Sequence, residues 1–310
     1  MINHVLSVQQ MGAERLTSLV DRALVIANGD HGNKRTLAGR VVGIYFRGAS
    51  TRTRTAFSVG AMKLGADIIW YGPNDLQINT GETLEDTARV LSNYVDALVV
   101  RTNGSVEEMR AMTMQEDMAI INAMSECEHP TQSIADLVTI KETFGRLNDI
   151  HVLYLGEGNN TAAALAFATA QIKGMRLTVA TPEGYGLPES VLTRAAEMAR
   201  RSGSVVSQLH NLDELPRDVD IVYTARWQTM GVPKAEAGWE AKFAPFKVSA
   251  ALMQRVSKSA KTVFMHDLPA VRGGDVDDEV LDGPQSRAFR QAYHKMTSAM
   301  SVLEWSMGVN

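Results

Sequence analysis

The sequence predicts an α/β protein made of two doubly wound domains, each with a mainly parallel sheet. Three observations carry this. Short β-branched runs alternate with longer helical patterns, most of the runs are apolar throughout, and the alternation breaks once, near Gly145–Asp149. A strand covered on both faces reads as a continuous apolar run, and strand–helix alternation feeds right-handed crossovers between parallel strands. In chain order the strand-like segments are Val41–Phe46, Asp67–Tyr71, Asp96–Arg101, Met118–Asn122, His151–Gly156, Arg176–Ala180, Val205–Gln208, Asp218–Thr224 and Thr262–His266. Helical patterns cover Glu82–Tyr94, Pro130–Phe144, Thr161–Lys173 and Pro188–Arg201, and a last one at about Gln285–Met307 is expected to pack back on the first domain. Gly145, Gly174 and Gly203 follow three of these as helix stops, and Pro130 sits at a helix start. The expected domains are 1–145 with the C-terminal helix 285–310, and 146–284.

Composition narrows the class. The 310 residues are 45% hydrophobic and 21% charged, too apolar for a disordered chain and long enough for two domains. Lys plus Arg number 31 against 35 Asp plus Glu, a formal net charge of -4, so the basic field of a nucleic-acid binder is missing. The single cysteine, Cys127, excludes an intrachain disulfide and fits a reducing compartment. The N-terminus Met1-Ile2-Asn3-His4 has no basic flank or apolar leader core, and no stretch approaches the roughly 20 apolar residues of a membrane span. A cytoplasmic, soluble enzyme is expected.

In open parallel sheets ligands bind beyond the carboxyl ends of the strands. That edge carries Ser50-Thr51-Arg52-Thr53-Arg54, then Arg101, then His129-Pro130-Thr131-Gln132 in the first half. In the second half it carries Gly156-Glu157-Gly158-Asn159-Asn160, Arg226-Trp227-Gln228 and His266-Asp267-Leu268-Pro269. The Ser50–Arg54 run precedes an apolar helix pattern. A helix N-terminus offers unsatisfied N–H groups and partial positive charge, and hydroxyls with two guanidinium forks there make a site for a phosphate dianion. The plainer alternative is an exposed helix cap with two solvated arginines. His129 can donate to a developing oxyanion and the Gln132 amide can read an NH2 or C=O group. The glycine loop resembles a dinucleotide fingerprint, but Thr161 stands where the third glycine belongs; with Glu183 after the next strand, an NAD(P)-dependent oxidoreductase stays open as an alternative.

Four segments resemble the aspartate/ornithine carbamoyltransferase family: Phe46-Arg47-Gly48-Ala49-Ser50-Thr51-Arg52-Thr53-Arg54-Thr55-Ala56-Phe57, Asp86-Thr87-Ala88-Arg89-Val90-Leu91, His129-Pro130-Thr131-Gln132-Ser133-Ile134-Ala135-Asp136 and Phe264-Met265-His266-Asp267-Leu268-Pro269-Ala270-Val271-Arg272-Gly273. They follow the family order across nearly the whole chain, and the ornithine branch fits better. The resemblance implies a carbamoyl phosphate domain, an amino-acid domain and a homotrimer with active sites shared between subunits. It implies that Ser50, Thr51, Arg52 and Thr53 cradle the phosphate, beside Arg54 as the second guanidinium of the run, and that Arg101 and His129 hold the carbonyl oxygen. Gln132 and the Leu268 carbonyl then read the carbamoyl NH2, and Gln77 is supplied to the neighbouring subunit. Carbamoyl transfer builds negative charge on the carbonyl oxygen and the leaving phosphate, which preorganised donors stabilise; no cofactor, metal or covalent intermediate is required.

Departures from the family fall on the amine side. Ornithine enzymes read His-Cys-Leu-Pro where this chain has His266-Asp267-Leu268-Pro269, and Asp-x-Trp-x-Ser-Met-Gly where it has Ala225-Arg226-Trp227-Gln228-Thr229-Met230-Gly231. Lys295 stands where they place an arginine. The expected amino-acid ligands are therefore Asn160, Arg226, Thr229, Met230, Asp267 and Lys295, with Asp267 joining Arg101 and His129 as a candidate catalytic residue. A carboxylate beside the reacting amine can orient it and take its proton. The amine is that of ornithine or of a shorter diamino acid such as 2,3-diaminopropionate. A non-catalytic carbamoyltransferase-like subunit is the remaining alternative. The sixteen methionines and Trp70, Trp239 and Trp305 are read as packing residues, Cys127 as a buried small hydrophobe, and Asp275–Glu279 as a solvated acidic loop. His31, His151, His210 and His294 show no metal-ligand spacing.

Overall fold

The structure, a computed structural model, describes residues 2–29, 34–228 and 233–309. The chain divides into two compact units, Met1–Val138 with Tyr293–Asn310, and Thr139–Ala292.

The first unit holds a four-stranded parallel sheet of β1 (Val41–Phe46), β2 (Asp67–Tyr71), β3 (Ala97–Arg101) and β4 (Ala119–Met124), in the order β2-β1-β3-β4. Its helices are α1 (Ala13–Ala27), α2 (Arg52–Lys63), α3 (Leu84–Leu91), α4 (Val106–Met112) and the start of α5 (Pro130–Phe144). Every residue of β3 and β4 is buried, as continuous apolar runs require, whereas edge strand β2 leaves Ile69 41% and Trp70 51% exposed. α1 buries Leu16, Leu19, Val20, Ala23 and Ile26, one stripe at helical spacing.

The second unit holds β5 (His151–Leu155), β6 (Arg176–Ala180), β7 (Val205–Leu209), β8 (Ile221–Thr224) and β9 (Val263–His266), all parallel, in the order β7-β6-β5-β8-β9. Its helices are α6 (Asn160–Thr169), α7 (Glu189–Ser202), α8 (Trp239–Phe243), α9 (Ala250–Val256) and α10 (Asp278–Leu281). The alanine-rich α6 is buried along its whole length, because its small side chains admit close neighbours on every side. It stops short of the expected Lys173, and the residues up to Gly174 form turns. The last helix, α11 (Ala288–Ser306), returns to the first unit from Tyr293 onward. There Ser301 donates to the Leu19 carbonyl at 2.8 Å, and Glu304, 1% exposed, takes both arms of Arg22 at 2.6 and 2.8 Å.

Candidate active site

Within the first unit the C-terminal ends of β1, β3 and β4 bring polar groups together. Register places Phe46 opposite Arg101, and the Arg47 N–H donates to the Arg101 carbonyl at 3.0 Å. The chain leaving β1 thus starts beside Arg101 before it turns through Ser50 into α2. Thr51 caps α2 without a side-chain hydrogen bond, and no acidic residue occupies the first turn to offset the positive potential of the helix end. Thr53 is buried, and the Arg101 guanidinium, 6% exposed, lies 3.5 Å from its hydroxyl. Arg52 is half-buried; Thr51 and Arg54 are exposed.

His129 follows β4 after a short loop that its neighbours fasten. The Ser125 N–H donates to the Glu128 carbonyl at 2.9 Å. The Glu128 carboxylate takes the Ser7 hydroxyl at 2.5 Å and the Val8 N–H at 2.7 Å. Burial pushes the Glu128 carboxyl up to about 7 despite those two donors. His129 is itself buried, with Nδ1 3.5 Å from the Thr131 hydroxyl. Burial, together with the charges of Lys295 and Arg101, holds its imidazole well below the ordinary range, so it is neutral at physiological pH. One turn along α5, the Gln132 amide donates to Asp136 Oδ1 at 2.7 Å and accepts from the Lys295 ammonium. Thr53, Arg101, His129, Gln132 and Lys295 therefore form one buried polar group of the first unit.

The second unit carries its own set at the ends of β5, β8 and β9. Asn159 caps α6, accepting from the N–H groups of Thr161 and Ala162 at 3.0 and 3.1 Å, which fixes Asn160 as a buried first residue of the helix. The Thr161 hydroxyl donates to Asp267 Oδ2 at 2.9 Å. His266 Nδ1 accepts the Leu268 N–H at 2.8 Å, which leaves the ring proton on Nε2, 3.6 Å from Asp275 Oδ1. Leu268 sits at φ 55°, a left-handed conformation unfavourable for a branched residue and common where a site fixes the backbone. Ala225 is buried and Arg226 half-buried. Thr229 and Met230 lie outside the described residues, as does His31. Gln77 opens an exposed short helical turn and accepts from the Thr80 hydroxyl at 2.8 Å.

Lys295, expected among the amino-acid ligands, belongs to the first unit, where its ammonium donates to Gln132. Three packing expectations are revised. Cys127 is exposed, not buried; partial burial and the neighbouring Glu126 push its thiol up, away from the nucleophilic thiolate. Asp275 is 1% exposed and accepts the Val271 N–H, because its loop turns inward rather than into solvent. Trp70 is half exposed rather than packed. Sequence reasoning missed Thr161 as the partner of Asp267 and Lys234 as the partner of Glu157. Pairs so distant along the chain leave no periodicity or spacing to read. Among the described residues no cluster of His, Cys, Asp and Glu could hold a metal ion, and no helix is long and apolar enough to cross a membrane.

The hydroxyls and guanidinium groups at the start of α2 and the neutral, buried imidazole of His129 both follow strand ends of a doubly wound unit, the edge at which open parallel sheets bind their ligands. Residues 3–142 match the family model described as the aspartate/ornithine carbamoyltransferase carbamoyl-P binding domain, and residues 148–306 match that of the Asp/Orn binding domain. The chain belongs to the aspartate/ornithine carbamoyltransferase family. It is 37% identical over 307 residues to the ornithine carbamoyltransferase of Caldicellulosiruptor saccharolyticus, covering 97% of each chain. To that of Anoxybacillus flavithermus it is 40% identical over 268 residues, covering 86% of this chain and 84% of the other. Among solved structures, the ornithine carbamoyltransferase of Pyrococcus furiosus superposes with a TM-score of 0.92 at 35% identity, covering 99% of this chain and 97% of that one. These matches leave the nicotinamide reading of the glycine loop without support.

Proposed function

We propose that the protein transfers the carbamoyl group of carbamoyl phosphate to the amine of a small amino acid and releases phosphate, with Asp267 taking the proton of the attacking amine. The observation that carries the carbamoyl phosphate half is the neutral His129 beside Arg101 and the uncapped start of α2. A neutral imidazole and a guanidinium can both donate to the carbonyl oxygen as negative charge builds there, without His129 having to lose a proton first. The Ser50–Arg54 segment holds the phosphate as its bond to the carbamoyl carbon breaks, and Gln132, oriented by Lys295 and Asp136, reads the carbamoyl NH2.

On the amine side, an ammonium is not a nucleophile, so a group must accept a proton before or during attack. In this reading Asp267 takes that role; its hydrogen bond from the Thr161 hydroxyl and its place next to Leu268 support the assignment. Asn160 and Arg226 are the remaining ligands, and Arg226 favours a substrate carboxylate near the reacting amine because its pairing with carboxylate is directional. The substrate is then ornithine or a shorter diamino acid of the 2,3-diaminopropionate kind. A homotrimer with Gln77 supplied to the neighbouring subunit is part of this reading, supported by the exposed apolar side chains Ile69 and Trp70 on edge strand β2 and Met62 near the end of α2.

The test is a panel: the purified protein with carbamoyl phosphate and ornithine, 2,4-diaminobutyrate, 2,3-diaminopropionate or aspartate, with phosphate release and the ureido product both measured. Turnover of one of the diamino acids supports the reading; turnover of aspartate alone, or of none, overturns it. Strong turnover of ornithine with none of the shorter diamines rejects the changed substrate and keeps the reaction.

A further inference from the structure

The second unit contains a buried ion pair that neither the family match nor the reaction assigns. The Lys234 ammonium hydrogen-bonds Glu157 Oε1, with the lysine side chain 8% and the glutamate side chain 21% exposed. Three rings surround the same ammonium, its nitrogen lying 4.7 Å from the Tyr185 centroid, 5.0 Å from that of Phe243 and 5.2 Å from that of Trp239. All three are within cation–π range. The rings also hold one another: Phe243, fully buried, contacts Tyr185 edge-on at 4.8 Å, Trp239 at 5.3 Å and Trp227 at 5.3 Å. Glu157 Oε2 has no hydrogen-bond partner among the described residues, so Lys234 is what compensates this carboxylate.

Glu157 is the centre of a loop without slack. A side chain on Gly156 would come within 2.7 Å of the Trp227 indole, and one on Gly158 would collide with the backbone of Gly186 and Leu187. The Gly158 N–H donates to the Tyr185 carbonyl at 2.8 Å, tying the loop to the residue whose ring faces Lys234. Directly beyond the loop come the Asn159 cap, Asn160 and the Thr161 hydroxyl that holds Asp267.

We propose that Lys234, seated among Tyr185, Trp239 and Phe243 and paired with Glu157, is the positioning residue that sets the Gly156–Thr161 loop for the amino-acid substrate. The pair does not touch the reacting atoms; it fixes where Asn160 stands and how Asp267 is held. This rests on the assignment of Asn160 and Asp267 to the amine half of the reaction.

The experiment compares Lys234→Met, which keeps an apolar stem but no charge, and Lys234→Arg with the unchanged enzyme, each with the amine that the panel identifies. Lys234→Met is expected to raise the amine KM about tenfold while the KM for carbamoyl phosphate stays within about twofold, and Lys234→Arg to recover most of the loss. An amine KM unchanged in Lys234→Met overturns the proposal. So does a parallel rise in both KM values, or no recovery in Lys234→Arg, because either marks a general loss of structure. Asp267→Asn in the same assay keeps the underlying reading separate: full turnover there counts against the amine assignment itself, and the loop proposal then stands or falls on the amine KM of Lys234→Met.

Discussion

The Lys295 ammonium donates to the amide oxygen of Gln132, joining the last helix to the start of α5 within the first unit. That contact has two effects. It fixes which face of the Gln132 amide is donor and which is acceptor, since Nε2 is given to Asp136. It also places a cation near His129, adding to the burial that keeps the imidazole neutral.

Removing that cation is therefore expected to act on both residues. Lys295→Met should raise the titration midpoint of His129, because a nearby positive charge disfavours the imidazolium and its loss relieves that term. The KM for carbamoyl phosphate should rise about tenfold, the loss of one charge-assisted contact. Imidazole NMR and initial-rate kinetics read the two outcomes separately; an unmoved midpoint would remove Lys295 from the electrostatics of His129.

His129→Ala should lower kcat by about 10²–10³-fold, the usual effect of deleting one oxyanion donor. Because the imidazole titrates well below its ordinary value, kcat of the unchanged enzyme should show no limb from His129 between pH 6.5 and 8. A limb in that range abolished by His129→Gln would contradict a neutral donor.

Asp267→Asn should lower kcat at least about tenfold with little change in carbamoyl phosphate KM, as expected for a lost proton acceptor. Thr161→Val should have a smaller effect, about two- to fivefold, since it removes one neutral hydrogen bond to that carboxylate. Steady-state rates on the two variants decide the order; a larger effect from Thr161→Val would mean that the hydroxyl, not the carboxylate, meets the substrate.

Glu128 gives a stability prediction with a definite sign. Its folded pKa of about 7 lies above the ordinary 4.5, so the folded state binds its proton more tightly than the unfolded chain does. The stability this supplies is fully present below 4.5 and is lost as pH rises to about 7. Glu128→Gln cannot ionise, so its melting temperature relative to the unchanged protein should climb across that window and level off above it. Calorimetry at several pH values checks this; a constant difference would contradict an ionising Glu128.

Much of the fold was legible because its signals are local. Most of the nine strands appear as near-continuous apolar runs, and Pro130–Phe144 matches α5 residue for residue. Two helix stops were legible too, since Gly145 and Gly203 directly follow α5 and α7 at positive φ, 72° and 68°, whereas Gly174, at 66°, lies beyond the turns that follow α6. The first-unit site was readable as types of residue after each strand, because strand ends fix position in a parallel sheet. The Lys295–Gln132 contact was not legible, because it joins residues 163 positions apart. Cys127 and Asp275 were misread for a related reason: whether a loop residue faces inward depends on the neighbours it meets, not on its own chemistry. Lys234 left no trace, since its rings and its carboxylate come from three separate stretches of chain, around Glu157, at Tyr185 and in α8.

The most direct test of the first unit as the holder of carbamoyl phosphate is thermal unfolding with and without that ligand. At a ligand concentration near 100 times Kd, binding to the folded state adds about 2.7 kcal/mol and shifts the midpoint upward. Carbamoyl phosphate should raise the midpoint of the unchanged protein, and the rise should be lost or strongly reduced in Arg101→Leu. No rise in the unchanged protein, or an undiminished one in Arg101→Leu, would contradict carbamoyl phosphate binding at that group of residues.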